Sequence, residues 1–275
     1  MALALLAFGF GCAAYAFLTL PDVRVLRDQN PPTTAFIELR AREADARGVP
    51  ARRIQRWVPY SRISQNLKRA VLVAEDSAFW QHDGVDYEQL KDAMEVNLER
   101  MEFVRGASTI TQQLAKNLYL SPSKNPIRKL RELLITRRLE AELSKQRILE
   151  IYLNVIEWGD GIYGAEAAAR QYLGISAAQL GPSESALLAG ALVNARLLDP
   201  GHPTARLRRR QQMILRRMGG VTPPASTADA SAPIDPVQEL PPATPGPPES
   251  LPGEVIPVGK IPQGRGGDIR PDGSR

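Results

Sequence analysis

The chain has 275 residues, of which 43% are hydrophobic and 24% charged. That globular balance excludes a chain disordered throughout and leaves room for one ordinary domain with flanking segments. The net charge of +5 favours an acidic partner without choosing among a membrane surface, a phosphate-bearing substrate and nucleic acid, and the single cysteine, Cys12, excludes an internal disulfide.

No residue from Met1 to Leu20 is charged. About 20 apolar residues in a helix match the ~30 Å hydrocarbon core of a bilayer, so 1–20 is expected to be one transmembrane helix that Pro21 ends. Ala14-Tyr15-Ala16 also suits a signal-peptide cleavage site, but the basic leader of such a peptide is missing and a retained anchor is the favoured reading. Cys12, whose neighbours are unlike those of a lipid-attachment site, reads as a small buried residue. Arg24 and Arg27 follow the segment on the side that positive-inside bias assigns to the cytoplasm. This motivates the expectation that the native chain begins upstream, with further basic residues.

Residues 21–54 read as a polar connector, rich in arginine and proline and extended at Pro31-Pro32. From Ser61 the spacing turns helical, with Ile63, Leu67, Ala70, Val71 and Ala74 on one face and Glu75 at the helix end. A second run carries Leu90, Ala93, Met94, Leu98 and Met101, and a third goes from Ser108 through Ile110, Leu114 and Leu118. Asn125 and Pro126 make an N-cap and first-turn pair for a long helix holding Ile127, Leu130, Leu134 and Leu143. Ser144 caps the next, with Ile148, Ile151 and Tyr152 inward, and Ala165 to Leu173 and Ser183 to Leu192 supply two more.

No stretch alternates apolar and polar residues in a sustained way, so the domain is expected to be mainly α. Arg206, Arg208, Arg209, Arg210, Arg216 and Arg217 interleave with Leu207, Ile214, Leu215 and Met218 in a basic amphipathic helix. Its cationic face meets either anionic lipid or plain solvent. Beyond Gly219 proline, alanine, serine and glycine prevail, too little apolar surface to offset the entropy of ordering, and 220–275 reads as a disordered tail.

Glu75-Asp76, followed by Phe79, Trp80 and His82, puts two carboxylates at a helix end beside aromatic surface, where partial desolvation raises a carboxyl pKa towards proton-transfer use. An ordinary solvated or capping glutamate is the competing reading, as is a packing role for His82. Ser108, Thr109, Gln112, Gln113, Lys116 and Asn117 follow at a helix start, whose free N–H groups suit an anion or ordinary capping. Lys124, Arg128 and Lys129 gather cations at the start of the long helix, and Glu132 lies one turn after Arg128. A surface i,i+4 pair explains the last two, unless the fold brings both carboxylates and the cations together.

These strings resemble the peptidoglycan glycosyltransferases, of the monofunctional type and of bifunctional penicillin-binding proteins. The likeness rests on Glu75-Asp-x-x-Phe79-x-x-His82-x-Gly84, Gly106-x-Ser-Thr-Ile-Thr-Gln-Gln-x-x-Lys116-Asn117, Arg128-Lys129-x-x-Glu132, and Ser144-Lys145 with Arg147-Ile-Leu-Glu150-x-Tyr-Leu-Asn154, within 55–219. Leu20-Pro21-Asp22-Val23 and Glu157-Trp158-Gly159-Asp160-Gly161 look especially like the monofunctional branch. The resemblance implies a mainly helical, lysozyme-like domain with a small, membrane-apposed jaw lobe. It implies polymerisation of lipid II into β-1,4-linked glycan with inversion and release of undecaprenyl diphosphate, at the periplasmic face of a bacterial inner membrane.

Carried over residue by residue, Glu75 is the general base and Glu132 its catalytic companion. Asp76, His82, Ser108, Thr109, Gln112, Gln113, Lys116, Asn117, Lys124, Arg128 and Lys129 serve substrate binding. The diphosphate also suits a divalent cation, Mg²⁺ or Mn²⁺, and no organic cofactor is implied. Lipid II and the growing strand are the implied partners, with cell-wall synthesis or division proteins as further candidates; nothing pairs the basic charge with a nucleic-acid module. Residues 99–105, with Phe103, suit a lid or a lipid-dipping loop. The chain departs from the pattern at Asn194, which lacks the usual following proline, and no Ser-x-x-Lys cross-linking nucleophile is evident. The rival readings are a membrane-bound lytic transglycosylase or muramidase and a non-catalytic cell-wall scaffold.

Overall fold

The computed structural model describes residues 11, 18–101, 107–123 and 125–220. Nearly all of the expected anchor, most of the 99–105 loop, Lys124 and the tail from 221 onward lie outside them. No helix among the described residues is long and apolar enough to cross a membrane.

The described residues form nine α-helices, five short 3-10 helices and a three-stranded sheet. Helix α1 (Ala35–Asp45) is capped by Thr34, whose side chain accepts from the Ile37 N–H. It lies inside the stretch read from sequence as a connector. Val23, Leu26, Ile37 and Ala44 are buried there, so this stretch joins the folded unit instead of only spacing it. Helix α2 (Gln65–Glu75) starts at the Ser64 cap and ends because Asp76 leaves helical geometry at φ −164° and ψ 80°. Ile63, Leu67, Ala70 and Val71 are buried as expected from their spacing, Leu72 is buried beside them, and Ala74 is half-buried.

Helix α3 (Tyr87–Arg100) reverses the expectation for its stripe. Ala93 is buried, while Leu90, Met94 and Leu98 are 39%, 64% and 74% exposed: the period identifies a face but not whether anything covers it. Helix α4 (Ile110–Tyr119) begins with a full capping box between Thr109 and Gln112. It packs on α1, α5 (Pro126–Glu142) and α6 (Lys145–Val155). In α5 the Asn125 cap and Pro126 stand where the sequence puts them, but the buried face is Glu132, Ile135, Thr136 and Leu139, with Ile127 and Leu130 turned outward. Two polar residues on the inner face hide it from a search for apolar period.

Helices α7 (Ala165–Leu173), α8 (Pro182–Ala191) and α9 (Ala205–Arg217) complete the domain. Helix α8 is buried from Ser185 through Ala191 and packs between α2 and α9, as an almost uniformly apolar helix must. The sheet, absent from the sequence reading, has order β1-β3-β2. Strands β1 (Ile54–Gln55) and β3 (Ile162–Tyr163) are parallel, with Ile54 opposite Ile162, and β2 (Glu157–Gly159) runs antiparallel to β3. Strands of two or three residues are too short to leave an alternating pattern.

Asn154, fully buried in α6, ties the chain after β1 to the core. Its Oδ1 accepts from the Val58 N–H at 2.9 Å, and its Nδ2 donates to the carbonyls of Val58 at 2.9 Å and Glu150 at 2.8 Å. Stranding a buried backbone group costs about 1–3 kcal/mol and Val58 is half-buried, so Asn154→Ala should lower unfolding free energy by about 1–3 kcal/mol in chemical denaturation. A loss below about 0.5 kcal/mol would contradict this role.

Candidate active site

Glu75 closes α2, and α4 supplies the side chain that holds it. Gln113 Nε2 donates to Glu75 Oε2 at 2.9 Å, and the buried Tyr152 hydroxyl of α6 donates to Gln113 Oε1 at 2.9 Å. The two bonds fix the Gln113 amide with its N–H group towards the carboxylate. Burial raises the Glu75 pKa above the usual carboxylate range, and the neighbouring Asp76 adds to the rise. The Gln113 hydrogen bond and the charges of Arg210 and Lys116 oppose it. A carboxyl kept poised in this way is suited to accept a proton.

Lys116, one turn beyond Gln113 on α4, joins Glu75 to the cations. Its pKa is lowered, chiefly by burial, and it feels the charges of Glu132, Arg128, Lys129 and Glu75 together. Glu132 is buried and receives Arg128 Nη1 at 2.6 Å on one oxygen and Lys129 Nζ on the other. This is a partly desolvated cluster in which one carboxylate fixes two cations, unlike an isolated surface pair. The site therefore places a half-buried carboxylate near fixed positive charge. It can remove a proton from a hydroxyl while stabilising an anionic leaving group.

Asp76 and His82 lie behind that surface. Asp76 is buried, its Oδ2 accepts the Ile110 N–H at 2.9 Å, and its Oδ1 is 2.9 Å from His82 Nε2. His82 Nδ1 in turn accepts from the Gly84 N–H at 3.1 Å. Thr109 and Gln112 spend their polar atoms on the capping box, and the Thr109 hydroxyl also donates to the Gly84 carbonyl at 2.7 Å. Ser108 is exposed at this helix start, and Asn117 Nδ2 donates to the Gln113 carbonyl at 2.8 Å. Asp76, His82, Thr109 and Gln112 thus hold the turn and the helix start that carry Glu75 and Gln113.

Asp76, His82 and Asp86 also form a group that could hold a metal ion, their ligand atoms lying within 4.8 Å of one another. The fit is poor. Asp76 and His82 are engaged at both polar atoms, and Asp86 Oδ1 caps the Gln89 N–H at 2.8 Å, so an ion there displaces the bonds that shape the turn. Tyr152 and Arg210 were not singled out by sequence as site residues. The first reads as an ordinary core aromatic and the second as one of many arginines in α9, where its Nε donates to the Gly190 carbonyl at 3.1 Å.

Known proteins share much of this sequence. The family model described as Transglycosylase matches residues 43–219. A protein named "Biosynthetic peptidoglycan transglycosylase" from Janthinobacterium sp. (strain Marseille) is 49% identical over 197 residues, covering 72% of this chain and 85% of its own. Proteins of the same name from Dechloromonas aromatica (strain RCB) and Aromatoleum aromaticum are 51% identical over 189 residues and 54% over 167. They cover 69% and 61% of this chain, and 82% and 73% of their own.

An N–H donor at Gly84 requires a bare Nδ1 on His82, leaving the ring proton on Nε2 to face Asp76. Ring ¹⁵N–¹H correlation spectra should therefore show His82 as the Nε2–H tautomer, and a proton on Nδ1 would contradict the clasp.

Proposed function

We propose that this chain, which belongs to the transglycosylase family, is a peptidoglycan glycosyltransferase that polymerises lipid II into β-1,4-linked glycan strands. The observation that carries the reading is that α4 holds Glu75 through Gln113 and packs on α5, whose Glu132 holds Arg128 and Lys129. In this mechanism Glu75 takes the proton of the acceptor sugar's 4-hydroxyl. The freed oxygen attacks the anomeric carbon of the donor strand from the face opposite the lipid diphosphate. The bond to the diphosphate breaks, undecaprenyl diphosphate leaves with the electron pair, and the linkage inverts from α to β.

Lys116, Arg128, Lys129 and Lys124 neutralise the departing charge, and Glu132 acts by holding Arg128 and Lys129 where that charge develops. Stationary cations are what a diphosphate leaving group needs, whereas a glycosidase needs a carboxylic acid to protonate a sugar oxygen. Gln113, Asn117 and Ser108 border the substrate. Asp76, His82, Thr109 and Gln112 serve it by positioning the helix ends. No step is routed through Mg²⁺ or Mn²⁺, because Glu132 and the Asp76–His82–Asp86 group are already engaged by protein donors.

In the same reading 1–20 is a single-pass inner-membrane anchor, 21–54 leads into the periplasmic catalytic domain of 55–219, and 220–275 is a tail open to cell-wall synthesis or division proteins. Helix α3 belongs to the small jaw lobe. The outward Leu90, Met94 and Leu98 suit a surface laid on the bilayer.

Incubating the detergent-solubilised chain with labelled lipid II should yield polymer, and Glu75→Gln should lower turnover by about 10²-fold or more, the usual worth of a general base. Release of soluble fragments from cell wall without polymer would favour a lytic enzyme, and inactivity of the wild type a scaffold. Because Glu75 must be ionised to act and burial raises its pKa, kcat/KM should rise with pH along a limb above the ordinary glutamate range. Gln113→Ala removes a bond that favours the ionised form and should move that limb to still higher pH; a shift downward would contradict the arrangement.

A further inference from the structure

Helix α5 has an outward stripe that the site does not use. Ile127, Leu130, Arg131, Leu134 and Arg138 stand at i, i+3, i+4, i+7 and i+11 and so share one side of the helix. Ile127 and Leu130 are 69% and 54% exposed. Arg131 and Arg138 are partly exposed and reach the chain where the expected anchor ends. Arg131 Nη2 donates to the Thr19 carbonyl at 3.0 Å and Arg138 Nη1 to the Pro21 carbonyl at 3.4 Å. Leu18, one residue earlier, is 80% exposed.

These two bonds end on neutral oxygens and neutralise neither guanidinium. A cavity of about 390 Å³ beside them is lined by Leu20, Asp22, Val23, Arg24, Arg138 and Glu142. Its carboxylates are engaged by other cations, Asp22 by Arg24 at 2.8 Å and Glu142 by Arg27. Four arginines, Arg24, Arg27, Arg131 and Arg138, thus face two carboxylates around residues 19–21. With 1–20 spanning the bilayer, those residues stand at its surface, level with the lipid phosphates. A guanidinium has five N–H donors and binds phosphate in a fork, and its single carbonyl bond leaves Arg131 most of them. A zwitterionic headgroup would bring its own ammonium among these cations, whereas a phosphatidylglycerol headgroup brings none.

We propose that the outward stripe of α5 docks an anionic phospholipid of the phosphatidylglycerol class, with Arg131 and Arg138 on its phosphate and Ile127 and Leu130 against its acyl chains. The lipid ties to the membrane surface the same rigid helix that carries Arg128, Lys129 and Glu132, so the cation cluster meets a lipid-borne diphosphate at a fixed height. The site rests on the reading of 1–20 as an anchor and is independent of the transferase chemistry.

Electron spin resonance of phospholipids labelled on an acyl chain tests the proposal, with the full chain reconstituted into phosphatidylcholine vesicles free of lipid II. Labelled phosphatidylglycerol should associate with the wild type about fivefold more strongly than labelled phosphatidylcholine at low salt, the worth of one arginine near an anionic headgroup, and high salt should narrow the difference. Arg131→Gln combined with Arg138→Gln should bring the preference to within about twofold of parity. Arg216→Gln combined with Arg217→Gln, at the exposed end of α9, should retain it. A wild type without preference, or a preference that survives the α5 substitutions, overturns the site and leaves the anchor standing. Wild-type chain recovered outside the vesicles overturns the anchor and the site with it, whatever its activity on lipid II.

Discussion

The site depends on one tie between two helices, the Asp76 carboxylate receiving the first N–H of α4 at 2.9 Å. Asp76 follows directly on the last residue of α2, so the bond fixes the end carrying Glu75 against the start of the helix that carries Gln113 and Lys116. A charged acceptor at a helix start satisfies an otherwise orphan donor and is favoured by the helix dipole. His82 bonds the other oxygen of Asp76, which fixes the direction in which the carboxylate points. Proton acceptor, amide and cation are then set by the geometry of two rigid helices and not by a loop.

The second constraint is desolvation. Burial makes the Glu75 carboxylate costlier to ionise and the Lys116 ammonium costlier to hold, which brings the two affinities for protons closer together. Glu132 plays a different part: with a cation on each oxygen it is well placed to keep Arg128 and Lys129 ordered. The two carboxylates that look alike in sequence thus have different surroundings, set by what each one touches.

Much of this was legible in the sequence where the determining chemistry is local. The caps at Asn125 and Ser144 act within one helical turn, and the strings holding Glu75, Lys116, Arg128 and Glu132 stand out by their resemblance to a family. The faces of α3 and α5 did not, because exposure of Met94 and burial of Glu132 depend on what a distant segment brings to them. Tyr152 gave no signal as a site residue. It reaches Gln113 only because α6 packs on α4, and a tyrosine is not unusual where it stands.

The central claim is that Glu75 and the cations share one electrostatic site. Carboxyl ¹³C titration of Glu75 in the detergent-solubilised chain, with Lys116→Met alongside, tests it most directly. Glu75 should titrate above the ordinary glutamate range and higher still once the Lys116 charge is gone. Titration at the ordinary value, or a value indifferent to Lys116, would contradict it.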